Sequence, residues 1–400
     1  MENKKVLIID SRLKPMYGGG QIITNLLFIH IRKIYETKLV SDKPNVDPLY
    51  NQSLPGFNGI IRKFLVLLID LRSHIKFKTN KNPKSNYKGI DSASYVLFKK
   101  LPKFLLRFIL NKRAISLLNE SDIIISNSNY DIMLFDNTNL NSKTIIHINH
   151  LPVSFESTRN ALLNLKKICD KTNSNLISVV LAKKDITLSK NLGIRTYYIP
   201  NGIEIKEISE EKVNEVIKKF SLERNNFIFS IGRLEDSQKG FSLAIEAMSK
   251  VASKYNTIKY IIAGVGKDRD NYIQIIREDK LGKNVRLIGF VSEIEKLALM
   301  KACLAFVQPS YFEAFSVVTL EALSQGAIVL VSKNQGAIDV IEGKKNGFFI
   351  DLNSEDISCK IMDIINMSNK EIEKISKNAI GTSKEFSVDK MVDRYIKLIN

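Results

Sequence analysis

Short apolar runs rich in Val and Ile alternate with longer segments of helical period along most of the chain, the pattern of β-α units built around a parallel sheet. In the first half the runs are KVLIID (5–10), SDIIIS (121–126), TIIHIN (144–149) and LISVVL (176–181). In the second half they are FIFSIG (227–232), KYIIAG (259–264), VRLIGF (285–290), LAFVQP (304–309) and AIVLVS (327–332), at more even spacing. Pro200, Asn201 and Gly202 punctuate the chain between the two series,. The expected fold class is therefore α/β, with two doubly wound Rossmann-like domains facing across a cleft. Residues 1–202 form the first domain and residues 203–385 the second, and the terminal segment 386–400 is expected to pack back on the first.

A length of 400 residues with 44% hydrophobic side chains supplies a core for each domain and excludes a disordered or fibrous chain,. Cys169, Cys303 and Cys359 are far apart and lack CxxC spacing, which suggests neither a disulfide framework nor a thiolate metal site and fits a reducing compartment,. The opening MENKK passes straight into a strand-like run, unlike a signal peptide, so a cytoplasmic chain is expected,. The nearest thing to a spanning segment, FLVLLID, is hemmed by Arg62, Lys63, Asp70 and Arg72,.

Charge changes the picture once it is divided. Residues 1–200 hold 31 Lys and Arg against 14 Asp and Glu, whereas residues 201–400 hold 29 against 28. Residues 51–118 alone carry 14 basic and 2 acidic side chains, interleaved with FLVLL, YVLF and FLLRFIL. Such a block suits nucleic acid, an anionic bilayer or an acidic substrate, and charge alone does not choose among them. Within it, the Lys, Asn and Ser-rich stretch from Lys76 to Lys88 reads as an exposed insertion,.

Ligands of doubly wound sheets bind beyond the carboxyl ends of the strands, so the loops there carry the candidate chemistry. After the first run come Gly18, Gly19 and Gly20, directly before a helical stretch, where the backbone can approach a ligand closely; a tight turn without a ligand is the alternative,. FIFSIG ends in Gly232, and Arg233, Lys239 and Gly240 follow, in which an Arg fork and a Lys point charge can converge on a diphosphate, against the alternative of solvated surface residues,. In PSYFEAFSVVTLEALSQG, Glu313 sits in a loop after a buried strand, Ser316 is a candidate N-cap, and Glu321 falls in the second turn of the next helix,. Two carboxylates so placed can grip hydroxyls at two points, with amides near Ala314, Phe315, Ser316 and Val317 between them for phosphate,.

These residues resemble the GT-B glycosyltransferases, in particular the group called family 4. EAFSVVTLEALSQGAIVL stands in register with the family's signature of two glutamates separated by seven residues, here Glu313 and Glu321. Arg233 and Lys239 match its phosphate clamp, IIAGVG with Gly264 and Gly266 its next strand and turn, and VRLIGFVS, with Val291, the segment near the base. PNGI at 200–203 matches the interdomain hinge. In the first half, Gly18 and Gly19 match the family's GGxE turn, with Gln21 in place of the Glu, and TIIHINHLP resembles the strand whose terminal His lies beside the transferred sugar, the register favouring His150 over His147. Ala314, Ser316 and Val318 depart from the Gly, Gly and Pro frequent in the signature loop.

The resemblance implies transfer of a sugar from a nucleotide-diphosphate donor to an acceptor hydroxyl with retention of configuration. It gives Arg233 and Lys239 the diphosphate, Glu313 the donor-sugar hydroxyls, Glu321 the ribose and His150 a contact near the reacting carbon, with Gly19 letting the first helix approach the phosphates. No cofactor is expected, and no metal: the one DxD string, Asp268 to Asp270, reads as an acidic first helical turn,. The expected partners are the nucleotide sugar, a saccharide or lipid-linked acceptor of the cell envelope, and an anionic membrane surface on the inner face of the cell membrane, met through residues 51–118. No nucleic acid is expected. A dinucleotide oxidoreductase fits less well because no GxGxxG with a following acid is present,. A non-catalytic nucleic-acid or polyanion binder explains the charge but not the paired glutamates.

Overall fold

The computed structural model describes residues 4–10, 19–41, 112–127, 131, 135, 138 and 140–400. Gly18 and nearly all of the basic block, residues 51–111, lie outside the described residues. The chain divides into two compact units, Met1–Pro200 with Met391–Asn400, and Asn201–Lys390.

The first unit holds a parallel sheet of order β2-β1-β3-β4-β5-β6, made of Lys5–Asp10 (β1), Glu36–Ser41 (β2), Ile123–Ser126 (β3), Thr144–Asn149 (β4), Asn175–Val180 (β5) and Arg195–Tyr198 (β6). Its central strands are buried on both faces, which is why they read as unbroken apolar runs,. Leu7, Ile9, Ile124 and Ile145 pack under the helix Glu156–Lys171, whose Ala161, Leu162 and Leu165 recur at helical spacing,. Burial of each large aliphatic side chain contributes roughly 1.5–3 kcal/mol, so this layer holds the sheet. The chain end belongs to the same unit: Lys4 Nζ donates to the Ile399 carbonyl at 2.9 Å and the Tyr35 hydroxyl to Asn400 Oδ1 at 2.6 Å.

The second unit holds a parallel sheet of order β12-β11-β10-β7-β8-β9. Its strands are Phe227–Ile231 (β7), Lys259–Ala263 (β8), Val285–Gly289 (β9), Ala305–Gln308 (β10), Val329–Ser332 (β11) and Phe348–Ile350 (β12). The helix Phe241–Lys254 lays Ala244, Ile245, Met248 and Val251 on Ile228, Tyr260 and Ile262. Helix starts are fixed locally: Ser292 and Ser368 each close a capping box with the glutamate three residues on,. Among the described residues no helix is long and apolar enough to cross a membrane.

All nine expected strands are present to within two residues. The three that the apolar pattern did not signal, β2, β6 and β12, each sit at an edge of a sheet. An edge strand need bury only part of its surface, and ETKLVS, RTYY and FFI accordingly lack a long Val and Ile run,.

Candidate functional site

In each sheet the strand order reverses once, between β1 and β3 in the first unit and between β7 and β10 in the second. Loops diverge at such a point and leave a crevice beyond the strand ends. Most of the residues singled out in the sequence lie there.

In the second unit the loop after β7 runs through Gly232 and Arg233 into a one-turn helix, Asp236–Lys239. Lys239 closes that turn rather than opening the long helix, and Gly240, at φ 61°, re-aims the chain into Phe241–Lys254. The Lys239 stem then folds over Gly232: a Cβ there would stand 3.1 Å from Lys239 Cε. Gly264, at the end of β8, presses closer still, since its Cβ would fall 1.9 Å from the Gly232 carbonyl oxygen and its φ of 133° suits only glycine,. Gly232 and Gly264 thus let the two loops close on each other beneath the lysine.

Lys239 Nζ meets Glu313 Oε1 at 2.5 Å, joining the loop after β7 to the loop after β10, with only 12% and 11% of the two side chains exposed. Ser310 Oγ donates to the same oxygen at 3.0 Å, and Gln308 Nε2 lies 3.4 Å from it. The Tyr311 amide bonds the Gln238 carbonyl at 2.9 Å and holds the glutamate loop to the one-turn helix. Arg233 goes elsewhere: Nη1 lies 3.3 Å from Glu235 Oε2, whose other oxygen faces Lys267 at 3.4 Å. The two expected clamp cations are therefore held by separate carboxylates, and Arg233 is the more exposed, at 37%.

Ser316 occupies the N-cap position of the helix Val317–Ser324, but its side chain does not cap it. The Thr319 hydroxyl donates to Ser316 Oγ at 2.8 Å instead. Phe315 turns its ring onto Phe386, centroids 6.0 Å apart, Ala314 precedes it in the loop, and Val317 is buried. Glu321, far from a solvated helix residue, is mostly covered, and its Oε2 lies 2.8 Å from Lys296 Nζ, the pair being 13% and 15% exposed. Burial holds its carboxyl above the ordinary value, and Lys296 opposes that shift,. Val291 is buried just beyond β9, and the Gly264 amide bonds the Gly289 carbonyl at 2.7 Å.

In the first unit Gly19 begins the helix Gly19–Ile31, after β1. Thr24 on that helix donates to Asp10 Oδ2 at 2.9 Å and accepts from Asn127 Nδ2, and Asn127 Oδ1 meets His150 Nε2. His150 lies half-buried in the bend after β4. His147 instead is wholly inside the sheet, 2.9 Å from Ser126 Oγ, and burial pushes its pKa down to about 4. It stays neutral. Asp268 and Asp270 serve separate ends: Asp268 Oδ2 accepts the Asp236 amide at 2.7 Å, while Asp270 is 92% exposed.

Sequence reading did not find Gln308, Ser310 or Lys296, nor the chain from Asp10 through Asn127. A polar residue ending a buried apolar run was the available signal for Gln308. Lys296 carried none, because a lysine on a helix is ordinary.

Residues 212–382 match the family model described as "Glycosyl transferases group 1". The matched segment lies wholly within the second unit. It contains Arg233, Lys239, Gly264, Glu313 and Glu321. The chain is 33% identical over 157 residues to an uncharacterized glycosyltransferase of Methanocaldococcus jannaschii, covering 38% of this chain and 40% of that protein. It is 26% identical to the poly(ribitol-phosphate) alpha-N-acetylglucosaminyltransferase of Staphylococcus aureus, over 64% of this chain and 50% of that one. It thus spans about half the length of the curated relatives it matches. Among solved structures, Anabaena HepE in complex with UDP and glucose superposes with a TM-score of 0.74 at 18% identity, covering 99% of both chains. The fold is that of the GT-B glycosyltransferases.

Proposed function

We propose that the chain is a nucleotide-sugar-dependent glycosyltransferase. It moves a hexose or related sugar from a nucleoside-diphosphate carrier to a hydroxyl of a saccharide or lipid-linked acceptor, with anomeric configuration retained. The observation that supports this most is the pairing of Lys239 with Glu313 across the strand-order reversal of the second sheet, inside the matched domain. An ammonium has three donors, so the one spent on Glu313 leaves two for diphosphate oxygens. Breaking the bond between sugar and diphosphate builds charge on the leaving group, and a fixed cation in a poorly hydrated site lowers that barrier. Arg233, held at Glu235, is the second cation of the clamp. Glu313 takes donor-sugar hydroxyls, Glu321 takes the ribose, and the helix start at Val317 offers amides that Ser316 does not cap,. The parts given to His150 and Gly19 come from the family resemblance.

The acceptor belongs to cell-envelope polysaccharide or glycolipid synthesis in this reading, because by name the Staphylococcus aureus relative acts on poly(ribitol-phosphate) and a Campylobacter jejuni relative on a diphospho-undecaprenol sugar. The enzyme sits in the cytoplasm, and residues 51–118 dock it on the anionic inner face of the membrane, each basic side chain near the surface contributing about 1 kcal/mol. Hydrolysis of a panel of UDP- and GDP-sugars tests the activity without knowing the acceptor; no turnover of any donor, with no thermal shift by UDP or GDP, removes the reading. Sedimentation with phosphatidylglycerol vesicles tests the docking. Binding that fades with salt and is lost when Lys99, Lys100, Lys103 and Arg107 become Gln is expected, and equal partition with neutral vesicles overturns it.

A further inference from the structure

Strand β10 is buried along its whole length, yet after Ala305, Phe306 and Val307 it ends in an amide, Gln308, with no exposed surface. Its Nε2 donates to Ser310 Oγ at 2.8 Å and points at Glu313 Oε1 at 3.4 Å, and Ser310 Oγ passes a hydrogen bond on to that same Oε1 at 3.0 Å. Its Oε1 is buried without a hydrogen-bond partner among the described residues. A buried carbonyl left in that state costs stability, and an aliphatic side chain of the same volume would not incur the cost. The amide orientation is forced, because turning it would set its oxygen against the carboxylate.

With Lys239, these groups bring three donors to one oxygen of Glu313, while Oε2 accepts from none of the three. A carboxylate gripped at one oxygen from three directions cannot rotate, so its second oxygen keeps a fixed aim. We propose that Gln308, acting through Ser310, is a positioning residue that fixes Glu313 so that Oε2 faces the hydroxyls of the donor sugar. The proposal rests on the reading of Glu313 as the sugar-holding carboxylate. It separates recognition of the sugar, which depends on Gln308, from recognition of the nucleoside diphosphate, which does not.

The test compares wild type with Gln308→Met, which keeps the volume and removes the polar atoms. The probes are the most active donor of a UDP- and GDP-sugar hydrolysis panel and the matching nucleoside diphosphate. Expected are a fall of about tenfold in kcat/KM for the nucleotide sugar, nucleoside-diphosphate affinity within about twofold of wild type, and a melting temperature equal to or above wild type. Wild-type kinetics in the variant overturn the proposal, and so does a joint loss of both ligands with a lowered melting temperature, which marks a merely structural role. Should Gln308→Met fail to fold, Ser310→Ala cuts the same link one atom on, and the same split between sugar nucleotide and nucleoside diphosphate decides. A wild type that hydrolyses no donor and is shifted by no nucleoside diphosphate brings down the reading of Glu313 itself, and the proposal with it.

Discussion

The two strand-order reversals share a topology and differ in what their loops place there. At the first, Asp10, Thr24, Asn127 and His150 pass hydrogen bonds from side chain to side chain, and Asp131 accepts from the Asn127 amide. At the second, Lys239 meets Glu313 and Arg233 meets Glu235, with Lys296 and Glu321 paired on the helices alongside. A hydrogen-bonded series of mostly neutral groups fixes orientation and carries little field. Two of these pairs, Lys239 with Glu313 and Lys296 with Glu321, are more than four-fifths buried and act where the effective dielectric is well below that of water, so each charge there is worth more,. One edge links polar side chains and the other gathers paired charges, and the difference lies in the loops rather than the fold.

The sharpest way to break this contrast is Lys239→Ala. Turnover in donor hydrolysis should fall about 100- to 1,000-fold, roughly 3–4 kcal/mol of transition-state stabilisation. The melting temperature should fall as well, because Glu313 keeps only the neutral donors of Ser310 and Gln308,. Arg233→Ala should lose turnover but melt normally, its partner Glu235 still facing Lys267. Equal melting of the two variants, or wild-type turnover in either at saturating donor, would separate the ion pairs from the chemistry.

Next in size is Lys296→Met, which leaves Glu321 buried without its counter-charge and should cost roughly 3 kcal/mol,. Burial already holds the Glu321 carboxyl above its ordinary value of 4.5. The stability carried by its protonated form is full below that value and is lost as pH rises toward the folded one. Removing Lys296 raises the folded value further, so the melting deficit against wild type should be larger at pH 8 than at pH 5. A deficit that does not change with pH would assign the cost to packing.

The second unit was the more legible of the two for a physical reason. Its buried strands are unbroken apolar runs, and the loops between them carry charges whose spacing is set by one turn and one helix start. Glu313, Glu321, Arg233 and Lys239 could be picked out on that basis, together with the family signature. What could not be read was which charge faces which. Lys296 reaches Glu321 from a different helix, and Arg233 turns to Glu235. Those pairings depend on side-chain direction in three dimensions. In the first unit, Asp10 and Asn127 stood at the ends of strands without a motif, and only the fold joins them to Thr24 and His150.

A smaller effect tests the neutral edge. His147 is buried with its pKa at about 4 against an ordinary 6.5. As pH falls below 6.5 the unfolded chain takes up a proton that the folded chain refuses, so stability is full above 6.5 and is lost down to about 4. Between pH 7 and pH 5 this amounts to about 2 kcal/mol, and His147→Leu should flatten that part of the urea-midpoint profile. A profile identical to wild type would place the acid sensitivity elsewhere.

The smallest effect expected is none at all, on removing divalent metal. Asp268 and Asp270 form the one DxD string in the chain. Asp268 spends an oxygen on the Asp236 amide at 2.7 Å, which ties the start of the one-turn helix to the loop after β8. Asp270 is exposed in the first turn of Arg269–Glu278, where an acidic side chain suits the helix dipole without an ion,. In the proposed reaction the charge on a departing diphosphate falls to Lys239 and Arg233 instead. Hydrolysis of the best donor should therefore proceed at the same rate in excess EDTA, and Asp270→Asn should match wild type. Activity lost in EDTA and restored by Mg²⁺ or Mn²⁺ would show that the two cations of the charged edge do not suffice for the leaving group.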